Sequence, residues 1–182
     1  ELLFFGFVRP YKGLDLLLAA LALIPADLDV RLTVAGEFWH GSQETREHIA
    51  RLGIGDRVEI VEGYLSDADA AEYFARAHAV VLPYHSATGS GVVAVAYNYD
   101  KPVIVTRVGG LPGVVEDGVT GLIVEPESPR ALADAIGHLS DVDLEAMGRE
   151  VHRFKTERLT WEGLASAIIE VSGSGGDVPG AF

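Results

Sequence analysis

Short apolar runs at residues 2–6, 30–35, 58–61, 79–82, 103–106 and 122–124 alternate with longer segments at 14–24, 44–52, 67–76, 92–98 and 130–139. Runs that are apolar almost throughout suit strands buried on both faces, and helix-length spacers between them supply the cover. The alternation predicts βαβ units and an α/β fold, a parallel sheet flanked by helices. Right-handed crossovers then send the loop after each strand to one edge of the sheet, where open α/β sheets hold ligands.

Turn chemistry agrees with this phasing. Gly53, Gly55 and Asp56 separate a helix from the third strand, Ser66-Asp67 caps the helix that follows, and Asp100-Lys101-Pro102 turns into the fifth strand. Ser128-Pro129 places proline at a first helical position. Beyond residue 139 the pattern is wholly helical, with helices predicted over 143–155 and 160–171, and residues 172–182 have the composition of a flexible end. The expected organisation is one Rossmann-like domain over 1–158, a C-terminal helix within 159–171 and a tail over 172–182.

The 182 residues, 48% of them hydrophobic, suffice for one domain with a sizeable core. The absence of cysteine removes disulfides, thiolate metal sites and cysteine nucleophiles together, and makes a cytoplasmic setting the default expectation. A formal net charge of −13 opposes a nucleic-acid surface, which needs clustered Lys and Arg. It leaves room for a small anion held by local cations and backbone dipoles. The run 14–24 carries Asp15 and is too short to span a bilayer. Because the first residues already read as core strand, a further part is expected upstream.

Two loops at the ligand edge carry the chemistry. Gly6-Phe7-Val8-Arg9-Pro10-Tyr11-Lys12-Gly13 follows the first strand: Gly6 lets the backbone pass close to a ligand, and Arg9 and Lys12 place two cations above the strand ends. Such a pair can neutralise charge developing on a departing diphosphate, or can be ordinary solvated loop charge. After the fourth strand, Ser86, Thr88, Gly89, Ser90 and Gly91 lead into the helix that opens near Val92, and backbone N–H groups at such a helix start can hold phosphate. Gly89-x-Gly91-x-x-Ala94 also matches the dinucleotide fingerprint, although it trails its strand by a long loop and does not lie in the first βαβ unit. The alternative is that these glycines only permit a tight turn. Gly36-Glu37 offers another close backbone approach, and Val108-Gly109-Gly110-Leu111-Pro112 either exposes amides to the same ligand or makes a turn.

None of the six histidines falls in H-x-x-x-H or H-E-x-x-H spacing, so no metal site is expected. His85 alone lies in a ligand-side loop, where it is either catalytic or a packing residue. Neither a P-loop nor a G-x-S-x-G elbow is present, which removes the main support for nucleotide hydrolysis and serine esterase chemistry.

In order, FFGFVRPYKGLDLLL at 4–18, VAGE at 34–37, DRVEIVEGY at 56–64, AVVLPY at 79–84, KPVIVTRVGGLPGVVEDGVTGLIV at 101–124 and LTWE at 159–162 resemble the C-terminal half of retaining family 4 glycosyltransferases. The resemblance implies half of a two-domain GT-B fold, with this half holding a nucleotide-sugar donor without a metal cofactor and an N-terminal acceptor domain as its partner in the full-length protein. It implies that Lys12 contacts the donor diphosphate, with Arg9 as a second catalytic cation. Gly6, Gly36 and the loop from Ser86 through Thr88, Gly89, Ser90 and Gly91 to Val92 would bind the donor. The family's arginine after the first-strand glycine is replaced by Phe7, and the two acids of its E-x7-E motif fall on Ala87 and Val95. The first acid ordinarily meets the donor sugar and the second the ribose, so sugar and ribose recognition must differ here.

The expected reaction is retaining hexosyl transfer to an acceptor hydroxyl, with this half alone binding donor weakly and not catalysing transfer. Any peripheral membrane contact would come from the other half. The competing readings are a GT-B epimerase or phosphorylase-like half, a dinucleotide-binding domain, and a nonenzymatic nucleotide-binding module or scaffold.

Overall fold

Every strand-length run becomes a strand of one sheet in the computed structural model, which describes residues 1–158. The strands are β1 (Leu2–Phe5), β2 (Leu32–Gly36), β3 (Val58–Glu62), β4 (Ala79–Leu82), β5 (Val103–Thr106) and β6 (Gly121–Val124). They are all parallel and stand in the order β3-β2-β1-β4-β5-β6. The helices are α1 (Leu14–Leu23), α2 (Gln43–Leu52), α3 (Asp67–Arg76), α4 (Gly91–Asn98), α5 (Pro129–His138) and α6 (Leu144–Arg158). The expected helix at 160–171 and the tail at 172–182 lie outside the described residues.

The double-sided burial foreseen for the strands divides the core in two. On one face Leu17 and Leu21 of α1, Ile49 of α2 and Leu132 and Ile136 of α5 pack with Leu2, Phe4 and Val34. On the other, Phe74 of α3, Val93 and Tyr97 of α4 and Val151 of α6 pack with Leu3, Val80 and Val105. Each fully buried Leu or Phe contributes about 1.5–3 kcal/mol relative to exposure. Tyr97 takes a polar atom into this layer, and its hydroxyl lies 3.1 Å from the Val114 carbonyl, which can only accept, and 2.9 Å from Thr120 Oγ1, which anchors the turn after β5. Burial pushes that phenol up to about 12.

Boundaries move for local reasons. β2 begins at Leu32 and not at residue 30, because the Val30 N–H turns back 2.7 Å to the Leu28 carbonyl. β1 stops at Phe5, since Gly6 takes φ +97° and leads the chain out of the sheet. α1 ends at Leu23: Ile24 is extended, as a residue before proline prefers. The Ser66 cap is a full capping box with Asp69, and Ser128 caps α5 through the Ala131 N–H at 3.1 Å. β1 and β4 are neighbours whose crossovers leave in opposite directions, so the crevice between their carboxyl ends is the switch point of the sheet.

Candidate functional site

Lys12 lies over that switch point, at the end of a 3-10 turn (Pro10–Lys12) set by Pro10 and closed by Gly13 at φ +68°. A Cβ at Gly13 would run into the Pro83 carbonyl, so the β1 and β4 loops touch there only because the residue is glycine. Lys12 is 8% exposed, and its ammonium has no hydrogen bond or ion pair among the described residues. Its Nζ stands 5.8 Å from the centroid of the Tyr84 ring. Burial first, and the Arg9 charge second, hold its ammonium below the usual lysine range. A cation desolvated without a counter-charge is a standing cost, and an arriving anion offsets it.

The start of α4 faces the same hollow. Ser90 is its cap, with Oγ accepting the Val92 N–H at 3.2 Å, and the Tyr84 hydroxyl fixes that oxygen at 3.1 Å. The Val92 amide is therefore spent on the cap, while the N–H groups of Gly89, Ser90 and Gly91 meet no protein acceptor among the described residues. Neither Gly89 nor Gly91 has a positive φ, and a Cβ at either would meet nothing within 4 Å. The loop does not need glycine to turn, so the space above these residues is open to a ligand. Lys12, Ser90, Gly91, Val92 and Val95 line this hollow of about 370 Å³. Tyr84 was not singled out from the sequence, yet its buried ring lies under Lys12 and its hydroxyl sets the helix cap. A tyrosine directly after a strand-ending Leu-Pro was the only available signal.

Through Val95 the hollow continues into a second pocket of about 570 Å³ over the ends of β1, β2 and β3. Gly6, Gly36 and Gly63 form its floor, with Tyr64, Leu65 and Tyr99 as walls. Gly36 has φ +147°, and a Cβ there would strike the Gly6 backbone. Bare backbone thus lets the two strand ends close up beneath the pocket. Tyr64 is 82% exposed, an aromatic face left open to solvent. The places expected to hold acids are apolar: Ala87 and Val95 pack against the core.

The remaining expected residues are spread around this centre. Ser86 and Thr88 belong to the same loop but are exposed and do not line the hollow. The Thr88 carbonyl accepts the Gly110 N–H at 3.1 Å, and Gly109 at φ +50° has its α-carbon against the Ala87 carbonyl. The Gly-Gly pair therefore buttresses the β4 loop, and the Gly110 amide is used there. Arg9 lies beyond the 3-10 turn from the hollow, its guanidinium 4.5 Å above the exposed Trp39 ring.

His85 braces the loop at its root. Its N–H donates 2.8 Å to the Tyr11 carbonyl, its Nδ1 is 2.6 Å from Glu127 and its Nε2 is 3.1 Å from Asp15. Partial burial works against the charged ring, but the hydrogen bonds and charges of Asp15 and Glu127 outweigh it and raise the imidazole above 6.5. A folded-state value raised in this way gives stabilisation that is complete below the unfolded value and is lost as pH rises through the raised one. The ring links the loop to the start of α1 and to the segment after β6. Among the described residues no cluster of three or more His, Cys, Asp or Glu side chains could hold a metal, and no helix is long and apolar enough to cross a membrane.

The model of the family described as glycosyl transferases group 1 matches residues 1–141. D-inositol 3-phosphate glycosyltransferase of Segniliparus rotundus is 35% identical over 175 residues, covering 91% of this chain and 38% of that protein. The enzyme of the same name from Xylanimonas cellulosilytica is 33% identical, covering 93% and 41%. The chain thus spans about two fifths of the length of these curated relatives. Among solved structures, Anabaena Alr3699/HepE in complex with UDP superposes with a TM-score of 0.77 at 26% identity, covering 95% of this chain and 48% of that one. In fold alone, the C-terminal domain of a glycosyl transferase group 1 family protein from Francisella tularensis matches with a TM-score of 0.74 at 21% identity, covering 88% and 86%.

Proposed function

The chain belongs to the glycosyl transferases group 1 family, and from that premise we propose that it is the C-terminal, donor-binding half of a retaining family 4 glycosyltransferase. It holds a nucleoside-diphosphate sugar while a hexose passes to an acceptor hydroxyl presented by an N-terminal domain. The observation that carries this reading is Lys12, a buried cation without a partner beside three free amides at a helix start. The UDP held by the Anabaena relative supports a nucleoside diphosphate as the ligand class.

In this reading the diphosphate lies in the Lys12 hollow and the nucleoside extends past Val95 into the glycine-floored pocket. As the glycosidic bond breaks, negative charge grows on the leaving diphosphate while the sugar becomes oxocarbenium-like. Lys12 and the Gly89, Ser90 and Gly91 amides stabilise that charge, and because they are fixed before reaction they need no reorganisation. These groups do the neutralising that a metal ion does in other phosphate sites. Ser86, Thr88 and Val92 belong to the loop and helix start that enclose the sugar, and Arg9 adds positive potential from across the turn. The dinucleotide alternative is weaker, since the Gly89-x-Gly91 segment follows the fourth strand of the sheet and not the first.

The test is thermal shift against UDP, GDP, ADP and NADP, each with EDTA present. A saturating nucleoside diphosphate at about 100 times its Kd stabilises by about 2.7 kcal/mol, and NADP gives no shift. Stabilisation by NADP alone favours the dinucleotide reading, and no stabilisation by any of the four favours a scaffold.

A further inference from the structure

The loop between β4 and α4 has no ladder of its own and is held by separate tethers. Thr106 Oγ1 donates 2.6 Å to the Tyr84 carbonyl, the Gly110 N–H reaches the Thr88 carbonyl at 3.1 Å, and the Tyr84 hydroxyl meets Ser90 Oγ at 3.1 Å. None of these titrates near neutral pH, whereas the tether at His85 does. Its ring has a carboxylate on each nitrogen, Glu127 at 2.6 Å from Nδ1 and Asp15 at 3.1 Å from Nε2. A neutral imidazole has one N–H and one lone pair, so it donates to one carboxylate and turns the lone pair on the other. Only the imidazolium donates to both, and the contacts around His85 are those of the charged ring.

The two carboxylates belong to different parts of the fold. Asp15 stands in the first turn of α1, and Glu127 in the turn between β6 and α5. Glu127 is one of two non-glycine residues with positive φ among the described residues, at +56°, a conformation that disfavours glutamate. Its bond to His85 offsets part of that strain. The His85 backbone N–H meets the Tyr11 carbonyl in the 3-10 turn that ends at Lys12, so the same residue ties the phosphate loop to the lysine turn. Arg9, His40, Glu44, His48 and Arg51 stand along the groove that the ring borders, and none of them bonds to it.

We propose that His85 is a positioning residue for the donor: its imidazolium clamps the β4 loop to α1 and to the β6–α5 turn, which holds the Gly89, Ser90 and Gly91 amides beside Lys12. Its effect on affinity rests on the donor-binding reading, but the clamp does not. When the ring loses its proton one carboxylate must swing away, and the three groups pass from one net negative charge to two at the root of the phosphate loop. Both changes weaken the hold on an anionic diphosphate, so donor affinity falls as pH rises through the titration of the ring. Partial burial works against the charged ring, but Asp15 and Glu127 raise it above 6.5, which places the fall to the alkaline side of an ordinary histidine.

UDP-glucose is the probe, because its diphosphate, unlike the terminal phosphate of UDP, keeps its charge between about pH 5.5 and about pH 8.5, which bracket the ring. Over that range its calorimetric affinity for the parent chain is expected to fall by about fivefold or more, the usual scale of coupling between two sites. His85→Arg donates to both carboxylates at every pH and keeps the low-pH affinity throughout. Glu127→Gln does so too, since its amide donates to a bare ring nitrogen and accepts from a protonated one. Lys12, held below the usual lysine range mainly by burial, also loses charge as pH rises, but it is common to all three proteins, so their difference reads His85. In the unliganded parent the Thr88, Gly89, Ser90 and Gly91 amide resonances follow the midpoint of the His85 ring, and in His85→Arg they stay fixed. A ring that served stability alone would move the melting point with pH and leave donor affinity flat, which overturns the proposal, as does a pH profile unchanged in His85→Arg. UDP-glucose that binds at no pH, with those amides still following the ring, overturns the donor reading and upholds the clamp.

Discussion

Lys12→Met is expected to lower affinity for UDP by about 10- to 100-fold, the worth of about 1.5–3 kcal/mol for a hydrogen bond to a charged group. The same substitution is expected to raise the unfolding midpoint of the unliganded protein. Methionine keeps the length of the side chain and removes a charge that is partly desolvated without a protein partner. The two effects have opposite signs, which separates a ligand-binding lysine from a structural one: a structural lysine would lose stability and leave UDP binding in place. Calorimetric titration and a melting curve on the pair of proteins read both.

Gly109→Ala is expected to destabilise the fold by about 2–4 kcal/mol, combining the strain of a positive φ with overpacking. The new Cβ would occupy the place of the Ala87 carbonyl, and the φ of +50° is disfavoured for alanine. Because the displaced atom belongs to the β4 loop, UDP affinity should fall in the same variant. Gly113→Ala is the control: that residue has no positive φ and its Cβ would meet nothing within 4 Å, so stability should change by less than about 0.5 kcal/mol. Chemical denaturation of the two variants against the parent measures the difference.

The architecture was legible because period and burial coincide. Strands such as Ala79–Leu82, apolar throughout, and Val103–Thr106, apolar up to its last residue, are buried along their whole length, and only a sheet covered on both faces satisfies that. That Arg9 and Lys12 lie in the loop at the ligand edge was legible from their place between Gly6 and Gly13, after the first strand. What the sequence could not show is which amides remain free, since that depends on Ser90 capping Val92 and on Tyr84 orienting Ser90, a hydroxyl contact with no periodic signature. Nor could it separate Arg9 from Lys12. The two are three residues apart, yet the 3-10 turn leaves one over the β1–β4 crevice beside Tyr84 and the other on the exposed Trp39 ring. The Gly109-Gly110 pair could be read either as a ligand-facing nest or as a turn, and its role as a buttress of the β4 loop appears only once Thr88 and Ala87 are brought alongside it. His85 had no partner within reach in sequence, because Asp15 and Glu127 come from segments 70 and 42 residues away.

The central claim is that the β1–β4 crevice holds the diphosphate of a nucleotide donor, and backbone amide chemical-shift mapping during a UDP titration tests it most directly. The account predicts the largest saturating shifts at Gly89, Ser90, Gly91 and Lys12, with a second group at Gly6, Gly36 and Tyr64 around the adjoining pocket. Saturable binding whose shifts fall elsewhere, with those amides unmoved, would contradict it.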